Sequence, residues 1–410
     1  MTITSTRLQS LPPAEGRQHV QASPPAMSEE GHLSSRQVTW MSVAAGVTVA
    51  NVYFLQPLLR PLAASFGVSG SRAGLLPMIT MVGYALGLLA VVPVLELTGL
   101  RRLMRWLTVG RLVALLLAAT ALDYGVFAAA SVLLGATSVL AQVLMPAAAA
   151  LSAPGTTGRT TARITAGLFG GIVGARVLAG AMADVMGWRS VYLLALALTV
   201  VVHWALRGLP EPPAAGRMSY RSLLASLVPL LRSEKGLRRA ATAAALGFAA
   251  FNVFWTSVTL YVTGPAHHWS TAAAGLLGLV GVVGTGTVLV VGRHLDRGWY
   301  RPLAVGAAAV MVLALTVTGF GGSSAIALIG GALLLDSGAR VSNVANQTQA
   351  LRQRPEARAR LNTLYMTAYF AAGSAGSAAG ALLFAHAGWT VTSLVASALA
   401  ALGALRALSR

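Results

Sequence analysis

Runs of mostly apolar residues recur along this chain, each close to the roughly 20 residues that an α-helix needs to cross a hydrocarbon core about 30 Å thick. Hydropathy places them at 40–59, 73–95, 103–122, 126–150, 164–186, 189–206, 240–262, 271–292, 302–320, 323–348, 361–385 and 389–407. Only 10% of the 410 residues are charged, against about 25% in a soluble domain. The pattern predicts an all-α membrane protein of twelve transmembrane helices.

A formal charge of +19 raises the question of a nucleic-acid partner. Its placement answers it. Of the 30 basic residues, Arg60, Arg72 and Arg189 fall in loops on one side of the predicted membrane, and Arg111, Arg176 and Arg340 lie within spans. The remaining 24 lie on the other side, with both chain ends. Basic residues accumulate in cytoplasmic loops, so both termini are expected in the cytoplasm and no nucleic acid is expected. One lysine among so many arginines, with abundant Ala and Gly, points to a high-GC bacterial genome. The expected location is then the bacterial cytoplasmic (inner) membrane, crossed many times.

The chain has no cysteine, which removes disulfides, thiolate nucleophiles and thiolate metal sites. Residues 1–37, with Pro12, Pro13, Pro24 and Pro25 among small polar residues, read as a disordered cytoplasmic tail in which Met27 is a second candidate start. The first apolar run exceeds a signal-peptide core and is expected to be retained.

Short matches recur 201 positions apart. Asn51-Val52-Tyr53-Phe54 returns as Asn252-Val253-Phe254-Trp255, and Ala73-Gly74-Leu75-Leu76 as Ala274-Gly275-Leu276-Leu277. Gly83 matches Gly284, and Gly187-Trp188 matches Gly388-Trp389, at the same offset. Matches in register and in equivalent spans indicate two pseudo-symmetric six-helix bundles. The expected division is a tail over 1–37, a first bundle over 38–207, a cytoplasmic linker over 208–239 with a short surface helix near 220–232, and a second bundle over 240–410.

Two six-helix halves joined by a basic loop resemble the major facilitator superfamily. Asn51, Tyr53, Gln56 and Pro57 followed by Phe66-Gly67-Val68-Ser69 are similar to the first-span signature of its bacterial drug:proton antiporters and arabinose-efflux-permease-like carriers. Val344-Ala345-Asn346-Gln347 and the segment Leu361-Asn362-Thr363-Leu364-Tyr365-Met366-Thr367-Ala368-Tyr369-Phe370 are similar to its tenth- and eleventh-span signature. The resemblance covers about residues 38–408. It implies a monomeric secondary transporter that moves a small molecule by alternating access, without a cofactor. Two departures stand out. The loop after span 2, usually Gly-x-x-x-Asp-Arg, reads Leu95-Glu96-Leu97-Thr98-Gly99-Leu100-Arg101-Arg102, while its second copy, Gly292-Arg293-His294-Leu295-Asp296-Arg297, is better kept. The antiporter motif of span 5 places Pro after Gly, but Ala175 follows Gly174.

Ionisable groups inside a span are costly and so are functional candidates. Asp336 is the one acid deep within a span; Arg340, Asn343 and Gln347 follow at helical spacing on its face. Either Asp336 takes up and releases a coupling proton, with Arg340 and Arg176 beside it, or Asp336 and Arg340 form a permanent neutralising pair. Three arginines in the spans against one acid point to a neutral or anionic substrate. Arg111 is expected to snorkel or to pair structurally.

The uncharged candidates for substrate binding are Asn51, Tyr53, Gln56, Gln142, Asn252, Trp255, Asn343, Gln347, Tyr365 and Tyr369; each is also capable of plain interhelical hydrogen bonding. Glycines at three- or four-residue spacing in spans 2, 5, 8 and 11 allow close helix approach, as static packing or as the moving contact between halves that the resemblance implies. By the same resemblance Glu96, Arg101, Arg102, Asp296 and Arg297 form a cytoplasmic gate. His267, His268 and His386 supply too few ligands for a metal. Proton-coupled efflux is the leading expectation and proton-symport uptake the alternative. A sensor or enzyme is remote, since no hydrolase, metalloprotease or nucleotide-binding motif occurs.

Overall fold

The computed structural model describes residues 32–91, 94–153, 155–212, 220–354 and 357–409, and among these the chain is helical, without strands. Of the expected tail, residues 1–31 lie outside the described residues; the first helix begins at Ser35.

Among the described residues ten helices are long and apolar enough to span a bilayer, and a pair bent by 42° forms one more. The longest, Arg358–Leu408, is broken by non-helical Gly388 into two. The resulting apolar segments are consistent with the twelve read from hydropathy. Span 1 is Ser35–Tyr53 with Leu55–Phe66, span 2 Gly70–Val91, span 3 Leu100–Thr120, span 4 Tyr124–Ala150, span 5 Thr157–Met186 and span 6 Trp188–Leu206. Span 7 is Lys235–Val262, span 8 Thr271–Leu295, span 9 Tyr300–Gly321 and span 10 Ala325–Leu351; spans 11 and 12 flank Gly388. The linker carries the helix Tyr220–Ser233, and residues 213–219 lie outside the described residues. Several helices begin before their apolar core, as span 5 does, because backbone hydrogen bonding continues past the region that hydropathy detects.

Local chemistry explains the ends and bends. Ser34 and Gln37 form a reciprocal capping box at the start of span 1. Pro57 supplies no N–H to the carbonyl of Tyr53, and the helix bends just there. The repeat extends to these details. Ser69 and Ser270 cap spans 2 and 8 at the offset of 201, and Gly187 (φ 79°) and Gly388 (φ 74°) make the tight corners before spans 6 and 12. A side chain at either corner would be strained in that left-handed conformation.

The two ends of the described chain, Leu33 and Ser409, lie on one face. Leu33 N–H donates to Leu151 O (3.1 Å) and Gln37 to Gly208 O (3.4 Å), while Arg239 donates to Ser409 O (3.0 Å). Within the first half span 1 packs on span 5 and span 2 on span 4; within the second, span 7 packs on span 11 and span 9 on span 10. Spans 2 with 11 and 5 with 8 form the contact between halves.

The glycines divide between the two readings that the sequence left open. Gly167 and Gly171 face Ser42 and Gly46 of span 1, Gly83 and Gly87 face Val132 and Ala136 of span 4, and Gly376 and Gly380 face Ala249 and Val253 of span 7. They let helices approach inside each half. Gly180, Gly275, Gly278 and Gly281 do face across the divide.

Candidate functional site

A cavity of about 470 Å³ lies between the halves, within the usual range of about 300–1,000 Å³ for ligand pockets. Its deep end is made by Tyr53, Ile172, Phe251 and Asp336; it continues past Asn343 and Gln347 to Leu351, Asn362, Thr165 and Pro146, toward the face that carries the chain ends. The opposite end is closed by contacts between halves. Arg60 of span 1 donates to the carbonyl of Thr263, Ser374 Oγ donates to Met78 O (3.1 Å), and the N–H of Ala272, opening span 8, donates to Asp184 (2.8 Å) at the end of span 5.

Among the lining residues only Asp336 and Arg340 are charged. Asp336 is fully buried, and its Oδ2 accepts from Arg340 Nε at 2.5 Å along the same helix. Its Oδ1 faces Arg176 Nη1 of span 5 at 3.9 Å, an ion pair but too long for a hydrogen bond. Arg176 is in turn held by Gln56 Oε1, 2.7 Å from its Nε, and by the face of Trp255, 3.9 Å away. Its Nη1 and Nη2 have no hydrogen-bond partner, nor has Asp336 Oδ1. Arg340 lies over the ring of Phe169 of span 5, at 4.5 Å. One carboxylate is thus set among two guanidinium groups, one from each half, under incomplete hydrogen bonding.

Span 8 makes this arrangement possible. A Cβ on Gly284 would collide with the Asp336 carboxylate, one on Gly281 would stand 3.0 Å from Arg340 Nη2, and one on Gly278 would stand 2.7 Å from the Arg176 Cβ. The glycine ladder leaves the volume that the three charged side chains fill.

Of the candidate residues, Tyr53, Gln142, Asn343, Gln347 and Tyr369 line the cavity with Asp336 and Arg340. Gln56, Trp255 and Arg176 stand behind that wall, two holding the third. Tyr365 also stands behind it, its hydroxyl donating to Asn343 Oδ1 (2.9 Å). Asn51 and Asn252 are buried in their bundles, and Asn252 donates to Phe248 O (2.8 Å). Tyr84, Phe169, Phe248, Phe251, Phe370 and Asn362 line the cavity without having been among the substrate-binding candidates, although Asn362 and Phe370 lie in the eleventh-span signature. Phe248 stacks on Tyr369 at 3.8 Å and Tyr84 lies 4.2 Å from Phe370, so one wall is continuous aromatic surface. Asn362 accepts from Gln347 Nε2 at 2.8 Å.

Among the described side chains, the gate candidates Arg101, Arg102 and Arg297 make no contact between the halves. Arg101 donates to Leu209 O (2.7 Å), and Glu211, absent from the sequence candidates, accepts from the backbone of Leu100 and Arg101. Arg102 lies over Trp106, and Arg297 is exposed. The side chains of Glu96 and Asp296 lie outside the described residues. Arg111 does not snorkel: it is buried, donating to Thr48 Oγ1 (2.9 Å) and Thr137 O (3.2 Å).

Two helical halves around a central cavity, largely apolar with a few convergent polar groups, have the architecture of a membrane carrier. Residues 41–376 match the family model of the Major Facilitator Superfamily. The chain is 35% identical over 376 residues to the Escherichia coli K12 protein called putative uncharacterized transporter YgaY, covering 91% of this chain and 95% of that one. It is 32% identical over 367 residues to a probable transporter of Streptomyces coelicolor, covering 88% and 85%. Among solved structures it is similar to the D-xylose–proton symporter (TM-score 0.74, 14% identity, 91% and 97% covered). It is also similar to the human organic anion transporter MFSD10 (TM-score 0.72, 18% identity, 92% and 100% covered). The chain belongs to the major facilitator superfamily and is a multi-pass membrane transporter.

Proposed function

We propose that this transporter is a proton-coupled exporter in a bacterial cytoplasmic membrane, working as a monomer by alternating access on a small neutral or anionic organic compound. The observation that carries this reading is Asp336: the one acid on the cavity wall, paired with Arg340 on its own helix and with Arg176 across the divide. Rocking one half against the other carries Arg340 along with Asp336 but changes the distance to Arg176. The charge around the carboxylate therefore depends on which side the cavity faces, and that is the coupling a proton-driven carrier needs.

The substrate class follows from the same group. One carboxylate against two guanidiniums leaves the deep end of the cavity positive, which disfavours cations. Aromatic rings on the wall and the amides of Gln142, Asn343, Gln347 and Asn362 suit an apolar or aromatic compound with one or two polar groups. With both termini cytoplasmic, as the basic loops indicate, the cavity faces the cytoplasm and the pair of halves is closed on the outer side.

Proton-symport uptake is the second reading. It is favoured by Ala175 standing where the antiporter motif has Pro, and by the open space around Gly174 beside it. Inverted vesicles energised to an acidic interior separate the two. Compound-triggered loss of the gradient supports export by antiport. Compound entry into right-side-out vesicles driven by an imposed inward proton gradient contradicts it in favour of symport.

A further inference from the structure

At the face that carries the chain ends, spans 3 and 6 enclose a second crevice, of about 220 Å³, separate from the transport cavity. It is lined by Arg101, Met104, Arg105, His203, Leu206 and Arg207. Glu211, the carboxylate paired with Arg101 at its edge, is committed to the N-terminal amides of span 3 and to Arg101. Arg105 and Arg207 have no hydrogen-bond or ion-pair partner among the described residues, and Arg207 lies 4.3 Å over the ring of Trp204. Deeper along the same helices, Thr108 contacts His203 (3.2 Å), and Arg111 is buried one turn further, with no carboxylate partner among the described residues.

The second half treats its equivalent corner differently. There Arg301 donates to Leu408 O (2.8 Å) and Ser409 O (3.0 Å), and Arg239 donates to Ser409 O (3.0 Å). The end of span 12 thus satisfies the second half's arginines. At the first half's corner Arg101 finds such a carbonyl, Leu209, whereas Arg105 and Arg207 face an open concavity.

Depth and surroundings say what fills it. Trp106 and Trp204, both exposed on the outer surface of the bundle, flank the crevice, and such exposed tryptophans mark the headgroup level of a bilayer. Farther along the same helices Val109 and Val113 of span 3 and Val200 and Val201 of span 6 are exposed, apolar surface suited to acyl chains. A phosphate at headgroup depth with two hydrocarbon tails beneath matches both features. We propose that this crevice binds the phosphate of an anionic phospholipid from the leaflet on the side of the chain ends, with Arg105 and Arg207 as its principal ligands. Basic pockets between transmembrane helices recognise acidic headgroups by this chemistry.

The test is lipid retention by the purified full-length chain, read by native mass spectrometry after exchange into dioleoyl phosphatidylglycerol or dioleoyl phosphatidylcholine. The wild-type chain is expected to retain phosphatidylglycerol in preference to phosphatidylcholine. Arg105→Gln with Arg207→Gln is expected to lower that retention about thirtyfold, from the usual attraction of an anionic surface per arginine. The charge-preserving pair Arg105→Lys with Arg207→Lys retains the lipid, and the exposed pair Arg159→Gln with Arg358→Gln leaves retention unchanged. Equal retention of the two lipids by the wild type overturns the proposal. So does a loss of the same size in the Arg159/Arg358 pair, or displacement of the lipid by millimolar inorganic phosphate, which would assign the crevice to a soluble anion.

Discussion

Arg176 of span 5 and Asp336 of span 10 form an ion pair at 3.9 Å across the divide between the two halves, with neither side chain exposed. Asp336 also holds Arg340 at 2.5 Å, but that partner sits one turn along the same helix and moves with it. Under the proposed function the two arginines play different parts: Arg340 would compensate a buried charge in every state, and Arg176 would report where the other half stands.

Replacing them one at a time separates those parts. Arg340→Gln leaves Asp336 buried with only a distant partner, and breaking a buried pair this way costs about 3–5 kcal/mol. We expect a clear fall in the thermal unfolding midpoint in detergent. Arg176→Gln keeps the close pair, so the midpoint should change little while transport fails. Replacing Asp336 and Arg340 together by Leu should restore the midpoint without restoring transport.

The glycine ladder of span 8 gives a second test. Gly284→Ala sets a methyl against the Asp336 carboxylate, which has no room to retreat inside its pair with Arg340. We expect transport to fall at least about tenfold with membrane expression retained. Gly174→Ala, where nothing lies within 4 Å of the added carbon, should behave as wild type. Similar losses in both variants would show that span helicity, and not the charged group, is being read.

The closed end can be locked. The chain has no cysteine, and Ser374 of span 11 reaches the backbone of Met78 of span 2 at 3.1 Å. Met78→Cys with Ser374→Cys should crosslink on mild oxidation and stop transport, and reduction should restore it. Free transport by the fully crosslinked protein would contradict a cycle in which spans 2 and 11 part.

Charge selectivity is a further consequence of the two-to-one excess of arginine at the deep end. Carboxylate-bearing aromatic compounds should compete for transport more strongly than neutral ones, and quaternary ammonium compounds least. A competition series at fixed external pH measures the order, and preference for the cations would contradict the assignment of the cavity.

Much of this was legible in the sequence, for reasons that differ by residue. The spans show because a bilayer demands about 20 apolar residues at a time. Asp336, Arg340 and Arg176 show because a charge in a span is conspicuous. Phe169, Phe248 and Phe251 did not, since a ring on the cavity wall and a ring facing lipid look alike in an apolar run. Gln56 and Trp255 were visible as polar groups, but no sequence pattern says that they stand behind the wall and hold Arg176. Gly284 was visible as the repeat partner of Gly83 and as one glycine of a ladder, not as a neighbour of Asp336. Its contact is with span 10, far away in the chain, so its role waits on the packing.

The most direct test of the central claim is proton movement by Asp336→Asn, whose amide keeps nearly the same shape and cannot carry the charge. Purified wild-type and variant proteins in proteoliposomes, with a pH-sensitive dye inside, would be challenged with a transported compound. The account predicts a compound-triggered pH change for wild type and none for the variant, with substrate binding retained in the variant. An undiminished pH change in Asp336→Asn would return Asp336 and Arg340 to a structural ion pair and place the coupling group elsewhere.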